Sequence, residues 1–190
     1  MDAIEAARRE AERIHQAAVE AGNDPFELLN FARNEAARRD LDVYPLPEGD
    51  SQLKGGQAAF DSQAGIILYE DTGSEFDRAF LIAHELGHVV LEGGTQDLVT
   101  EHVEPDRTVE DAPVGIEKVM DYSARERREV RMDLFAREFL LPRSMLRRLH
   151  LQGGCSSTDI ALRFGAPSHI VQLQLLDALL LPNEESADST

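Results

Sequence analysis

Two histidines and a handful of acids carry the chemistry open to this chain. His84-Glu85-Leu86-Gly87-His88 is an H-E-x-x-H motif. On a helix, His84 and His88 fall one turn apart on the same face, so two imidazoles can grip one metal ion. Glu85 stands beside them, placed to take a proton from a metal-bound water. That chemistry is zinc-assisted hydrolysis. A bare motif of this type also arises by chance on buried helices, so the surrounding pattern matters. Phe76, Ala79, Phe80, Ala83, Gly87, Val90 and Leu91 recur at three- and four-residue spacings. They predict a helix over 76–92 with one apolar side. Ser74 is a suitable N-cap, and Gly93-Gly94 ends the pattern.

Two histidines leave a metal short of ligands. A second helical pattern, SARERREVRMDLFAREFLLP, runs from Ser123 as its cap to Pro142 just beyond its end. Met132, Phe135, Ala136, Phe139 and Leu140 make its apolar stripe, and Glu129 and Asp133 border that stripe four residues apart. An acid beside a buried face costs desolvation unless it has a partner. A metal is such a partner for one of them, and a zinc histidine's N–H for the other. The competing assignment is a set of surface ion pairs with Arg125, Arg128 or Arg137. His102 and Tyr122 are candidate oxyanion donors. His102 or Glu92 would be next in line as third ligand.

The elements that must position these residues follow in order. Residues 2–21 form a helix with Ile4, Ala7, Ala11, Ile14 and Ala18 as its stripe, and His15 packed or solvated upon it. Asp24-Pro25 starts a second helix, reaching about Arg39, with Phe26, Leu29 and Ala32 or Ala36 facing inward. Leu41–Tyr44, the neighbourhood of Phe60, and Ile66–Tyr69 read as short strands. Pro45, Pro47, Gly49, Gly55 and Gly56 punctuate the turns between them. A tight turn over Asp61–Gly65 makes Gln57–Phe60 and Ile66–Tyr69 a hairpin, whose second strand leads into the motif helix. A strand edge near such a helix can pair with an extended substrate. Residues 93–122 look irregular and acidic, and a stretch of that length is usually functional or disordered. Arg143–Leu151 is a short basic helix. Thr158-Asp159 caps IALRF, and Ser168 starts HIVQLQLLDALL, a helix-turn-helix-like pair lacking basic residues on its second helix except His169. LPNEESADST reads as a disordered tail.

Composition bounds the rest. The chain has 190 residues, 42% hydrophobic and 29% charged, which suits one soluble domain with room for a small appendage. No apolar run is long enough for a bilayer, and MDAIEAARRE lacks a signal core, so a cytoplasmic protein is expected. Cys155 is the one cysteine, which excludes an intrachain disulfide and fits a reducing compartment. The net charge of −17 opposes binding to nucleic acid or anionic membranes but admits a basic protein partner.

FLIAHELGHVVLEG, then EVRMDLFAREFLLP, then LRFGAPSHIVQLQLLDALL together resemble the ImmA/IrrE family of zinc metallopeptidases over about residues 65–181. The resemblance implies an α+β, zincin-like fold of gluzincin type, mostly helical, with a small mixed or antiparallel sheet. The chain as a whole is read as a metallopeptidase unit with the N-terminal helices over 1–150, a C-terminal helical segment over 151–182 packed on it, and a disordered tail over 183–190. The resemblance makes His84, His88 and Glu129 the zinc ligands and Glu85 the general base. Asp133 then orients a ligand histidine. Arg131 stands where the family pattern has an acid and Asp133 where it has asparagine, and the loop from His88 to Glu129 is longer than usual. The family's implied substrate is a helix-turn-helix repressor, whose cleavage switches on a stress, mobile-element or defence response. A toxin or defence protein is the further candidate target. The rival expectations are a peptidase-like module that sequesters a regulator without cutting it, and a hydrolase of a non-peptide substrate.

Overall fold

The computed structural model describes residues 3–94, 97–109 and 120–180. The first helix, α1 (Ala3–Glu20), buries Ala7, Ala11, Ile14 and Ala18, and these small residues let it lie against α4 (Met120–Leu140). His15 is buried in that contact, donating from Nδ1 to the Phe139 carbonyl at 2.7 Å beside the Phe31 ring. α2 (Leu28–Ala37) starts later than the sequence suggests. Asp24 accepts from the Phe26 amide at 2.9 Å, so Asp24-Pro25-Phe26 forms a turn ahead of the helix. The helix also stops two residues short of Arg39, and Asp40 takes a left-handed conformation (φ 58°) that redirects the chain into the sheet.

The sheet is mixed, with order β1-β3-β2-β4. β1 (Asp42–Leu46) runs parallel to β3 (Ile66–Glu70), and β2 (Ala58–Asp61) pairs antiparallel with β3. Pro45, read from sequence as a turn residue, lies inside β1. An edge strand tolerates it because a proline's missing N–H can face away from the ladder. The expected hairpin forms, with Phe60 opposite Ile67. β4 (Leu98–Thr100) pairs antiparallel with the free side of β2. It corrects the expectation of an irregular stretch at Leu98–Thr100, where three residues were too few to show an alternation; 101–109 forms neither strand nor α-helix, and 95–96 and 110–119 lie outside the described residues.

α3 (Glu75–Glu92) carries the motif. Ser74 and Asp77 form a reciprocal capping box at its start, and Gly93 ends it in a left-handed conformation (φ 81°). α3 is buried from Phe76 continuously to His88 except at Asp77 and Arg78, because the sheet and α2 cover one side and α4 the other. α4 begins at Met120, ahead of the expected cap Ser123. α5 (Arg143–Leu151), α6 (Ser157–Phe164) and α7 (Ser168–Leu180) complete the described chain. Ser156, not Thr158, caps α6, with Asp159 answering at the third helical position. Residues 181–190, where the tail was expected, lie outside the described residues.

The C-terminal helices are tied to α4 and α1 by buried polar groups. Arg137 donates to Gln174 at 2.9 Å, Gln174 donates to Glu138 at 2.8 Å, and Arg8 pairs with Asp177 at 2.8 Å. Burial pushes the Arg137 guanidinium down to about 10, with Arg8 adding repulsion, yet it stays charged at neutral pH. Among the described residues the architecture is an α+β fold, mostly helical, with seven α-helices and a four-stranded mixed sheet.

Candidate metal centre

Close contact between α3 and α4 sets the geometry. A Cβ on Gly87 would sit 3.0 Å from the Phe135 ring and 3.1 Å from the Met132 sulfur, so a larger residue would need those side chains to give by a few tenths of an ångström. That approach brings the acids at 129 and 133 onto the histidines at 84 and 88. The Nε2 atom of His84 lies 3.3 Å from Glu129 Oε2, and that of His88 lies 3.8 Å from the same oxygen. The ligand atoms of His84, His88 and Glu129 all fall within 4.8 Å of one another.

Each histidine is aimed from behind. His84 Nδ1 lies 2.8 Å from Asp133 Oδ1, and His88 Nδ1 lies 3.0 Å from Glu92 Oε2. An N–H donated from Nδ1 leaves the Nε2 lone pair facing the shared centre. Asp133 is held in turn through Oδ2, which accepts from the Glu104 amide at 3.4 Å and faces Arg107 Nε at 3.4 Å. Glu92 is held by Arg131 at 3.0 Å. The outer oxygen of Glu129 faces Arg128 at 3.4 Å, which is what remains of the surface ion-pair expectation.

Burial and charge act against each other here. Burial alone would lower the His84 pKa, but Asp133 and Glu129 outweigh it and raise it to about 10. Burial would likewise raise Glu129, and hydrogen bonds from His84 and His88 instead hold it well below the usual carboxylate range. The pocket therefore draws a positive charge to the Nε2 side of His84, which a proton or a divalent cation can supply.

The residues present fit zinc. Two imidazoles and one carboxylate form a common three-ligand set. Ligands about 2.1 Å from a tetrahedral ion stand about 3.4 Å apart, close to the spacings around Glu129 Oε2. Glu85 supplies the independent observation. It is fully buried, its Oε1 accepts from Thr100 Oγ1 at 2.6 Å, and its Oε2 has no partner. A buried carboxylate oxygen without a donor is costly unless a further group, such as a water at the metal, completes the site.

The model of the IrrE N-terminal-like domain, a peptidase family, matches residues 36–176. The chain belongs to this IrrE N-terminal-like peptidase family. No curated protein matches it. In this IrrE-like domain the sequence-predicted residues separate into two groups. His84, Glu85, His88, Glu129 and Asp133 come together. His102 does not join them. It is exposed, with Nδ1 3.1 Å from Gln57 Oε1, and lines a cavity of about 380 Å³ together with Leu81, Asp77, Glu104 and Asp106. Tyr122 lies on the first turn of α4, but its side chain is outside the described residues. Glu92, named above as a reserve ligand, stands behind His88 on the Nδ1 side. Its spacing of four from His88 was the signal for that role. Thr100, Glu104 and Arg107 were missed, since nothing local in the sequence announces a contact made across the fold.

Proposed function

We propose that this chain is a zinc-dependent, site-specific endopeptidase. His84, His88 and Glu129 would hold the metal and Glu85 would act as general base. The observation that carries the reading is the convergence of three ligand atoms beside a buried, partnerless Glu85 oxygen. When bound, zinc would lower the pKa of a coordinated water towards about 7 and polarise the scissile carbonyl. Glu85 Oε2 is free to accept the water's proton and to return it to the leaving amine. Asp133 and Glu92 hold the two imidazoles in the tautomer that presents Nε2. His102 and Tyr122 remain the candidate oxyanion donors.

The proposed substrate is a regulatory protein, a helix-turn-helix DNA-binding repressor first and a toxin or defence protein second. Its cleavage would release a stress, mobile-element or defence response in the cytoplasm. Family membership supports a protein substrate. The net charge of −17 supports a protein partner over nucleic acid. No helix among the described residues is long and apolar enough to cross a membrane. Residues 1–150 are assigned as the peptidase unit, with 151–182 as a helical segment carried on it.

Elemental analysis and partner capture test this reading. The purified chain should hold about one zinc. Glu85→Gln should keep the metal and the fold, lose cleavage, and retain the regulator that the native protein cuts and releases. A reconstituted, folded chain without zinc, or a Gln variant cutting at the native rate, would sink it.

A further inference from the structure

The motif residues are sealed. Glu85 and His84 are 0% exposed and His88 is 1% exposed. A general base must come within hydrogen-bond reach of the proton it takes, so a peptide carbonyl has to be delivered next to Glu85. The place beside Glu85 on the sheet side is already filled. Thr100 of β4 occupies it, 3% exposed, with its hydroxyl on Glu85 Oε1.

The occupant has the form of a bound peptide. Leu98–Thr100 runs antiparallel to β2, with Ala58 opposite Thr100 and Phe60 opposite Leu98. The Gln57 amide donates to the Thr100 carbonyl at 2.8 Å, and the Gln57 side chain accepts from the Val103 amide at 3.3 Å. Gly56 is what admits it so closely: a Cβ there would lie 2.5 Å from the Thr100 carbonyl oxygen. The segment is fastened at both ends. Asp97 accepts from Ser62 at 2.8 Å, and Arg137 donates to the carbonyls of Pro105 and Arg107 at 3.0 and 2.6 Å. Between those fastenings Leu98–Val103 is held by the one strand partner β2, by the Gln57 side chain, by the Glu85 contact and by an exposed ion pair of Glu101 with Arg125 at 2.9 Å, while Leu98 and Val103 pack against the core.

An extended peptide is expected to pair with the sheet edge near the motif helix; we propose that Leu98–Val103 of the chain itself occupies that edge, Gln57–Phe60 of β2, in the resting protein and has to be displaced before a peptide can dock. The inference deepens the peptidase reading and rests on it for what happens after docking. A sheet edge stripped of its partner exposes unpaired N–H and C=O groups, so the strap leaves readily only when another strand replaces it. The partner is therefore an unstructured segment able to lie extended, with backbone N–H groups free and no proline where it meets β2. A folded domain would not fit the place of a three-residue strand.

Two variants of the zinc-loaded full chain test this. Asp97→Ala removes the anchor of the segment on Ser62, and Thr100→Val removes the hydroxyl from Glu85. The probes are a fluorescently labelled peptide DLVTEHVE, the sequence of residues 97–104, and a mixture of quenched-fluorescent peptides. Amide exchange over 98–103 should speed up at least tenfold in both variants, and both should bind the labelled peptide at least tenfold more tightly than the native chain. Cleavage of the mixture should rise in Asp97→Ala. If exchange over 98–103 is unchanged in both variants, β4 is a permanent strand and the proposal is overturned. It is equally overturned if exchange quickens without tighter peptide binding. Tighter binding with no cleavage of the mixture by any form upholds the occupied edge, and the peptidase reading is then decided separately by the zinc content and the Glu85→Gln variant.

Discussion

At the scale of single residues, the centre is a competition among carboxylates for two imidazoles, settled by which ring nitrogen each one meets. Glu129 meets Nε2 of both rings, whereas Asp133 and Glu92 each meet an Nδ1. Glu129→Ala should remove a metal bond and largely abolish zinc retention. Asp133→Ala and Glu92→Ala should each weaken zinc by about 10- to 100-fold, as loss of an orienting partner does. The Glu92 effect should be the smaller, because Glu92 is 26% exposed against 2% for Asp133 and water can take its place. A competitive chelator titration ranks the three. Loss of zinc from Asp133→Ala with retention in Glu129→Ala would reverse the assignment.

At the scale of elements, α3 and α4 have to touch for the site to exist, and Gly87 is where they touch. A methyl would meet the Phe135 ring at 3.0 Å and the Met132 sulfur at 3.1 Å, tighter than ordinary van der Waals contact. Gly87→Ala should destabilise the metal-free chain by about 1–3 kcal/mol, the usual range for overpacking a core. The gain in helix propensity, roughly 1 kcal/mol, offsets only part of a clash at the upper end. The variant should also bind zinc less tightly, since spreading the helices separates Glu129 from the histidines. Urea denaturation without metal, followed by the chelator titration, reads both effects. A variant more stable than the native chain with unchanged affinity would show that the helix contact yields without cost.

At the scale of the whole molecule, α1 closes the core over α4, and His15 lies in that seam. Burial lowers its pKa below the ordinary 6.5, against the opposing pull of the Phe139 carbonyl. The unfolded chain therefore takes up the proton first as pH falls. His15 contributes stability above about pH 6.5 that is lost as pH drops towards the folded-state pKa. His15→Gln keeps a donor for the carbonyl and has no proton to gain. Its unfolding free energy should fall less steeply between pH 7 and pH 5 than that of the native chain, both measured without metal. Equal slopes would mean His15 does not titrate in that window.

The motif, its helix, the cap at Ser74 and the acids at 129 and 133 were legible in the sequence because each depends on spacing along one helix. A period of 3.6 residues puts His84 with His88, and Glu129 with Asp133, wherever the helices go. The ImmA/IrrE resemblance stated from the same segments is borne out by the family match over 36–176. What the spacing left open is which partner each acid meets, since that depends on how α4 crosses α3. The packing at Gly87 sets that crossing. Tertiary structure alone revealed β4, because its three residues have no periodicity of their own and become a strand only by pairing with β2. It alone placed Thr100 on Glu85 and turned His102 towards Gln57. It also placed Pro45 within a strand, because an edge position is a property of the sheet and not of the residues on either side.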